Sequence, residues 1–120
     1  MRDLQTIAST INLYRLRFST EAKLQADLAA LFTAENIAFV AEHSLTAKDR
    51  PDFYLPLDRL AIECKVHGGL TPALKQCQRY AEHASVGGVL LVTRRCAHRI
   101  DDQALAGKPF AVCWIGGNSL

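Results

Sequence analysis

No stretch of this sequence is apolar for long enough to cross a bilayer. The longest runs, 87–93 and 110–115, fall far short of the ~20 residues that a spanning helix requires. Polar side chains interrupt every apolar stretch near the N-terminus, so no signal-peptide pattern is read there and the expected compartment is the cytoplasm. CxxC pairs are missing as well. Cys64, Cys77, Cys96 and Cys113 are widely and irregularly spaced, which gives no support to a zinc or iron–sulfur site. Cys64, Cys77 and Cys113 fall on apolar faces and read as reduced core thiols. There is no Gly-x-Ser-x-Gly elbow and no glycine-rich phosphate loop of standard spacing, which argues against a serine hydrolase and a nucleotide-phosphate cradle. Repeats, low-complexity tracts and linkers are absent, so the 120 residues are read as one domain, 1–120.

The chain has 49% hydrophobic and 22% charged residues, the balance of a folded globular domain. The formal charge of +2 is small, but its distribution is uneven: Arg94, Arg95, His98 and Arg99 form one basic cluster, and Arg15 and Arg17 a smaller one. Patches of this kind can contact nucleic acid without an extreme isoelectric point.

Helical spacing of Leu4, Ile7, Ala8, Ile11 and Tyr14 predicts a first helix over 2–14. Ser19 or Thr20 can cap a second, which runs to residue 35 with Leu24, Leu28, Leu31 and Phe32 on one face; Asn36 ends it. Residues 37–45 read as a strand, 49–51 as a turn and 52–55 as a short strand. A four-residue loop, 56–59, leads into a strand over 60–66, with Leu60, Ile62, Cys64 and Val66 on one side and Glu63 and Lys65 on the other. The sequence His67-Gly68-Gly69 breaks that strand. Thr71 and Pro72 predict a helix start, with Leu70, Ala73, Leu74, Cys77, Ala81 and Ala84 as its buried stripe. A fully buried strand follows at 89–93, then a short helix or irregular segment over 97–105 and a last strand at 110–115. The class is α/β, a mixed central sheet flanked by helices in the order α-α-β-β-β-α-β-(α)-β.

Four charged residues sit badly with a purely structural account. Glu21 projects into the arc of Leu24, Leu28 and Phe32, where a carboxylate needs a partner or must face outward. If Leu55 pairs with Leu60, Asp52 lies opposite Glu63, about 5 Å away at Cβ. A hard divalent cation such as Mg²⁺ is the natural occupant for two opposed carboxylates. Lys65 projects to the same face, which suits a site shared by a metal, a phosphate and an attacking water.

On these residues the sequence resembles the PD-(D/E)xK nuclease superfamily: Asp52 in "RPDFYL", preceded by Pro51, and "IECK" with Glu63 and Lys65. Glu21 in "STEAKLQ" is similar to the acidic ligand that many members carry on the helix before the sheet. Gln76 and Tyr80 in "KQCQRYAEH" match the QxxxY motif of the RecB-like and λ-exonuclease-like branches. The resemblance implies a restriction-endonuclease-like core and Mg²⁺-dependent hydrolysis of DNA, with Mn²⁺ able to substitute. Asp52, Glu63 and the Cys64 carbonyl would be ligands, with Glu21 a further one and Glu42 in reserve. Lys65 would be the catalytic lysine, and Gln76 and Tyr80 would position the metal site or the DNA backbone. Arg94, Arg95, Arg99, Arg79 and His67 are the expected DNA contacts, while His83 and His98 read as surface residues.

With little outside the core, the expected activity is that of an endonuclease reading DNA structure or shape rather than a long sequence. A Holliday-junction-resolvase-like or restriction-type enzyme is the alternative within that class. A non-catalytic DNA-binding module, or a subunit active only with a partner, is the alternative outside it. No membrane partner is expected. A homodimer or a larger nuclease assembly is possible, with Leu4, Ile7 and Ile11 either forming its interface or capping the core.

Overall fold

The structure, a computed structural model, describes residues 1–116. Asp3 accepts a hydrogen bond from the Thr6 amide and caps α1 (Leu4–Asn12). The Thr20 hydroxyl accepts from the Lys23 amide and caps α2 (Glu21–Ala34), with Glu21 in its first turn, where the helix dipole favours a carboxylate. Asn36 ends α2 in the left-handed region at φ 56°. Ile37 N–H reaches Phe32 O at 2.8 Å and Asn36 N–H reaches Thr33 O at 3.2 Å, the paired bonds of a Schellman cap.

Six strands form one mixed sheet: β1 (Val40–Ala41), β2 (Phe53–Leu55), β3 (Leu60–Lys65), β4 (Gly88–Thr93), β5 (Gln103–Leu105) and β6 (Lys108–Trp114), in spatial order β1-β2-β3-β4-β6-β5. β2 and β3 pair antiparallel with Leu55 opposite Leu60, the register expected from the hydrophobic pattern. β3–β4 and β4–β6 are parallel, and α3 (Leu70–Ala81) makes the β3–β4 crossover. One face of the sheet is covered by α1 and α2 through Leu4, Ile7, Ile11, Leu24, Leu28 and Phe32. The other is covered by α3 through Ala73, Cys77, Tyr80 and Ala81. Leu4, Ile7 and Ile11 of α1 therefore cap the core. Among the described residues, no helix is long and apolar enough to cross a membrane.

Several predicted elements are corrected. The strand expected over 37–45 shrinks to Val40–Ala41, because Glu42 takes a left-handed φ of 50° and a turn closes between Leu45 N–H and Asp49 O. α3 begins at Leu70 with Gly69 as a cap that offers no side-chain bond. Gly68, at φ +95°, swings the chain into the helix early, so Thr71 is not the cap and Pro72 lies within the first turn, where its missing N–H costs nothing. Ala84 lies beyond α3 and is exposed, while Leu70 and Leu74 are half-buried. The helix expected over 97–105 is a 3-10 turn, Cys96–His98, followed by the edge strand β5. β5 and β6 are joined by Ala106 and Gly107, both at positive φ, a two-residue hairpin turn. β6 starts before Phe110 because Pro109 pairs only with the edge strand β5, where a missing ladder donor is tolerated.

Candidate active site

The site forms where β3 outruns β2. Pairing between them stops at Phe53–Ile62, so the next amides on that edge of β3 have no strand to meet. Two acid side chains take them. Asp52 Oδ2 accepts from Cys64 N–H at 2.7 Å, and Glu21 Oε1 lies 3.5 Å from Val66 N. Alternate residues of a strand address the same edge at ~6–7 Å intervals, so Asp52 and Glu21 stand side by side along it. The N–H and C=O of one strand residue point the same way, so the Cys64 carbonyl faces that edge too. The helical glutamate, the hairpin aspartate and the Cys64 backbone are thus gathered at one end of β3 by simple strand geometry.

Glu63 lies on the α3 face of β3, 4% exposed. Lys65 Nζ is 3.3 Å from Glu63 Oε2, and the Tyr80 hydroxyl is 2.9 Å from Glu63 Oε1, so both carboxylate oxygens have donors. Burial pushes the Glu63 carboxyl up to about 7, and the neighbouring Asp52 charge pushes the same way against Lys65 and Tyr80. Burial likewise raises Asp52 to about 6, opposed by the Cys64 amide and reinforced by Glu21. A buried carboxylate, Glu63, beside a half-buried one, Asp52, with one lysine for compensation suits a divalent cation. Among the described residues, no three His, Cys, Asp or Glu side chains converge as a metal-holding group. The donor set that fits is therefore two carboxylates, Asp52 and Glu63, with the Cys64 carbonyl. That set suits Mg²⁺, which keeps several waters and needs one or two protein carboxylates. Glu21 acts on Asp52 through its charge, and Glu42, exposed on the other side of the Asp52 backbone, does the same more weakly.

Gln76 and Tyr80 fall beside the buried stripe in the sequence pattern, but Tyr80 is among the largest fully buried side chains. Gln76 Nε2 donates to the Tyr80 hydroxyl at 2.8 Å, and Tyr80 in turn donates to Glu63 Oε1, with Arg50 O at 3.3 Å. Burial and the Glu63 charge hold the phenol protonated, far above its ordinary range. The Q-x-x-x-Y spacing, one turn of α3, therefore builds a relay that holds Glu63 in place. Tyr80→Phe is expected to cost about 1–2 kcal/mol in a urea melt, since Glu63 loses one donor and Gln76 its acceptor. An unchanged midpoint would show the relay to be idle.

The cysteine reading holds. Cys64, Cys77 and Cys113 are buried and all four thiols are free; burial raises Cys77 and Cys113 to about 12 and pushes the Cys64 thiol well up from its ordinary range too. Of the basic residues, Arg95 and Arg99 are exposed and Arg94 is half-buried, its Nε donating to Val66 O at 2.9 Å. Arg79 Nε pairs with Asp49 at 3.0 Å, and His83 Nε2 lies 3.2 Å from the same carboxylate. His67 is exposed beside Gly68.

Two histidines read as surface residues do not lie there. His83 is half-buried, and His98 is completely buried. His98 Nδ1 lies 2.9 Å from Thr93 Oγ1 and its Nε2 3.1 Å from Gly68 O. Thr93 Oγ1 also accepts from Arg95 N–H at 2.9 Å. This side chain ties the loop after β3 to the loop after β4, and the sequence offers only its place in a basic cluster as a hint. His98→Ala is expected to destabilise the fold by about 2–3 kcal/mol, through a cavity and two lost bonds, with differential scanning calorimetry as the check.

The chain matches no family model, no curated protein and no solved structure.

Proposed function

We propose that this protein is a Mg²⁺-dependent DNA nuclease on a restriction-endonuclease-like core, an endonuclease that recognises DNA structure or shape. The observation that carries the reading is the placement of Asp52, Glu63 and Lys65 at the end of β3, with Glu63 held by Tyr80 and Gln76. Asp52, Glu63 and the Cys64 carbonyl would hold the metal. Mg²⁺ bound there lowers the pKa of a water and offsets the negative charge of the phosphate. The Lys65 ammonium orients the attacking water and donates to the phosphate oxygens as charge builds on them. Tyr80 fixes the Glu63 rotamer, and Asp52 and Glu21, by meeting the Cys64 amide in β3 and the Val66 amide just after it, keep that edge rigid.

Outside the site, Arg95 and Arg99 supply phosphate contacts that carry no sequence information. The test is cleavage of a labelled panel by the purified chain: linear duplex, supercoiled plasmid, single strand, fork and four-way junction, each with Mg²⁺, Mn²⁺ or EDTA. Metal-dependent cutting supports the reading, and the preferred substrate selects the nuclease subtype. Binding without cutting on every substrate overturns catalysis in favour of a binding module or a partner-dependent subunit.

A further inference from the structure

Beyond the carboxylate cluster, the same end of the sheet carries an open cavity of about 480 Å³ lined chiefly by Phe18, Arg94, Arg95, Cys96, Trp114 and Gly116. Its volume falls within the ~300–1,000 Å³ range of ligand pockets. Two links join it to the site. Arg94 directly follows Thr93, the β4 partner of Lys65, and its Nε holds Val66 O at 2.9 Å. Phe18 lies three residues before Glu21, and the Arg94 guanidinium stands 6.0 Å from its ring.

Charge and shape agree on the occupant. Arg2, Arg17 and Arg79 are each matched to an aspartate. Among the described residues, no carboxylate pairs with Arg94, Arg95 or Arg99, so the two cations that line the cavity, Arg94 and Arg95, and a third stacked on its tryptophan are left to meet an anion. The aromatic component is fixed in place. Trp114 Nε1 donates to Arg94 O at 3.1 Å, and the Arg99 guanidinium lies 4.3 Å from the indole centre. Gly116 packs so closely on the ring that a Cβ there would come within 2.7 Å of Nε1. A held indole and a phenyl ring beside uncompensated guanidinium groups match a nucleotide on both counts: bases stack on aromatic and arginine planes, and phosphate takes the charge. Paired bases in intact duplex are already stacked and cannot enter.

We propose that the Phe18–Trp114–Arg95 cavity binds an unpaired nucleotide of the DNA strand, so that the substrate is DNA with a single-stranded segment beside the cutting site. The choice of DNA rests on the nuclease reading; the demand for an unpaired base rests on the cavity itself.

Trp114 is the only tryptophan of the chain, which makes the native protein its own probe. In EDTA, its fluorescence is followed while the protein is titrated with blunt duplex, the same duplex bearing a short single-stranded tail, or oligothymidylate. Quenching by tailed duplex and oligothymidylate, with blunt duplex silent, is the expected result. No quenching by any of them, or equal quenching by blunt duplex, overturns the proposal. Anisotropy of labelled DNA gives the second reading: Trp114→Ala should weaken tailed-duplex binding by about 5- to 150-fold while blunt binding changes little. Arg95→Ala, at an exposed position that does not endanger folding, should also weaken tailed more than blunt DNA; equal loss on both overturns the subsite. Quenching on tailed DNA without cleavage in Mg²⁺ or Mn²⁺ keeps the cavity and overturns the nuclease reading, while cleavage of tailed and blunt DNA alike without quenching overturns the cavity alone.

Discussion

Lys65→Ala is expected to slow Mg²⁺-dependent cleavage by about 10²–10³-fold, the usual effect of removing one pre-placed charge from a transition state, with DNA affinity in EDTA changed far less. The lysine sits beside Glu63 on the α3 face of β3, 3.3 Å from the Glu63 carboxylate. It is half-buried, so its ammonium acts at short range and is poorly screened by salt. Asp52→Ala and Glu63→Ala should abolish cleavage while leaving binding intact or stronger, because each removes a negative charge that repels the phosphate backbone. Single-turnover kinetics with saturating protein separate the two effects, since binding then no longer limits the rate. Full activity in any of the three variants would place the chemistry elsewhere.

The parts legible in the sequence were those governed by short-range rules. The register of β2 on β3 follows from matching Leu55 to Leu60 and from the alternation through Val66, and it sets Asp52 toward Glu63 without any knowledge of the tertiary fold. The Thr20 cap and the Asn36 stop are equally local. What failed was decided over longer distances or by single dihedral angles. Glu42 leaves extended geometry at φ 50°, which no alternation pattern announces, and β1 is short as a result. β5 is a three-residue edge strand with an exposed–exposed–half-buried pattern, too brief for periodicity to register, although Gly107 in its turn was a usable hint.

The full burial of Tyr80 and of His98 escapes the sequence pattern for a shared reason: each is a polar residue buried against a polar partner. The partners, Glu63 for one and Thr93 and Gly68 for the other, lie on different elements. Helical projection measures distance from an apolar stripe and cannot see a hydrogen bond arriving from a strand. In the same way, the grouping of Glu21 with Asp52 depends on β3 extending past β2, which only the pairing pattern reveals.

Glu63→Gln is expected to make the metal-free protein more stable as well as inactive. In the folded chain the Glu63 carboxyl is raised from 4.5 to about 7, first by burial and then by the charge of Asp52. A carboxyl with a raised folded pKa binds its proton more tightly folded than unfolded. Its stability contribution is therefore fully present below the unfolded value and is lost as pH climbs through the folded value. The wild type in EDTA should accordingly lose stability between about pH 4.5 and 7 through this group, and Asp52, raised from 3.8 to about 6, adds a loss of the same sign beginning slightly lower. Glutamine cannot ionise and keeps an oxygen for the Tyr80 hydroxyl, so the variant escapes most of that loss. The amide facing Lys65 returns part of the gain, and the net difference at pH 8 favours the variant. In a thermal melt this is a higher midpoint for the variant at pH 8, the gap shrinking toward zero near pH 4. Added Mg²⁺ should raise the wild-type melting temperature and leave the variant nearly unmoved, because a ligand stabilises only the state that binds it. A variant that melts below the wild type at pH 8, or a gap that does not close on acidification, would mean that Glu63 is held as a stabilising charge rather than kept at a cost for its chemistry.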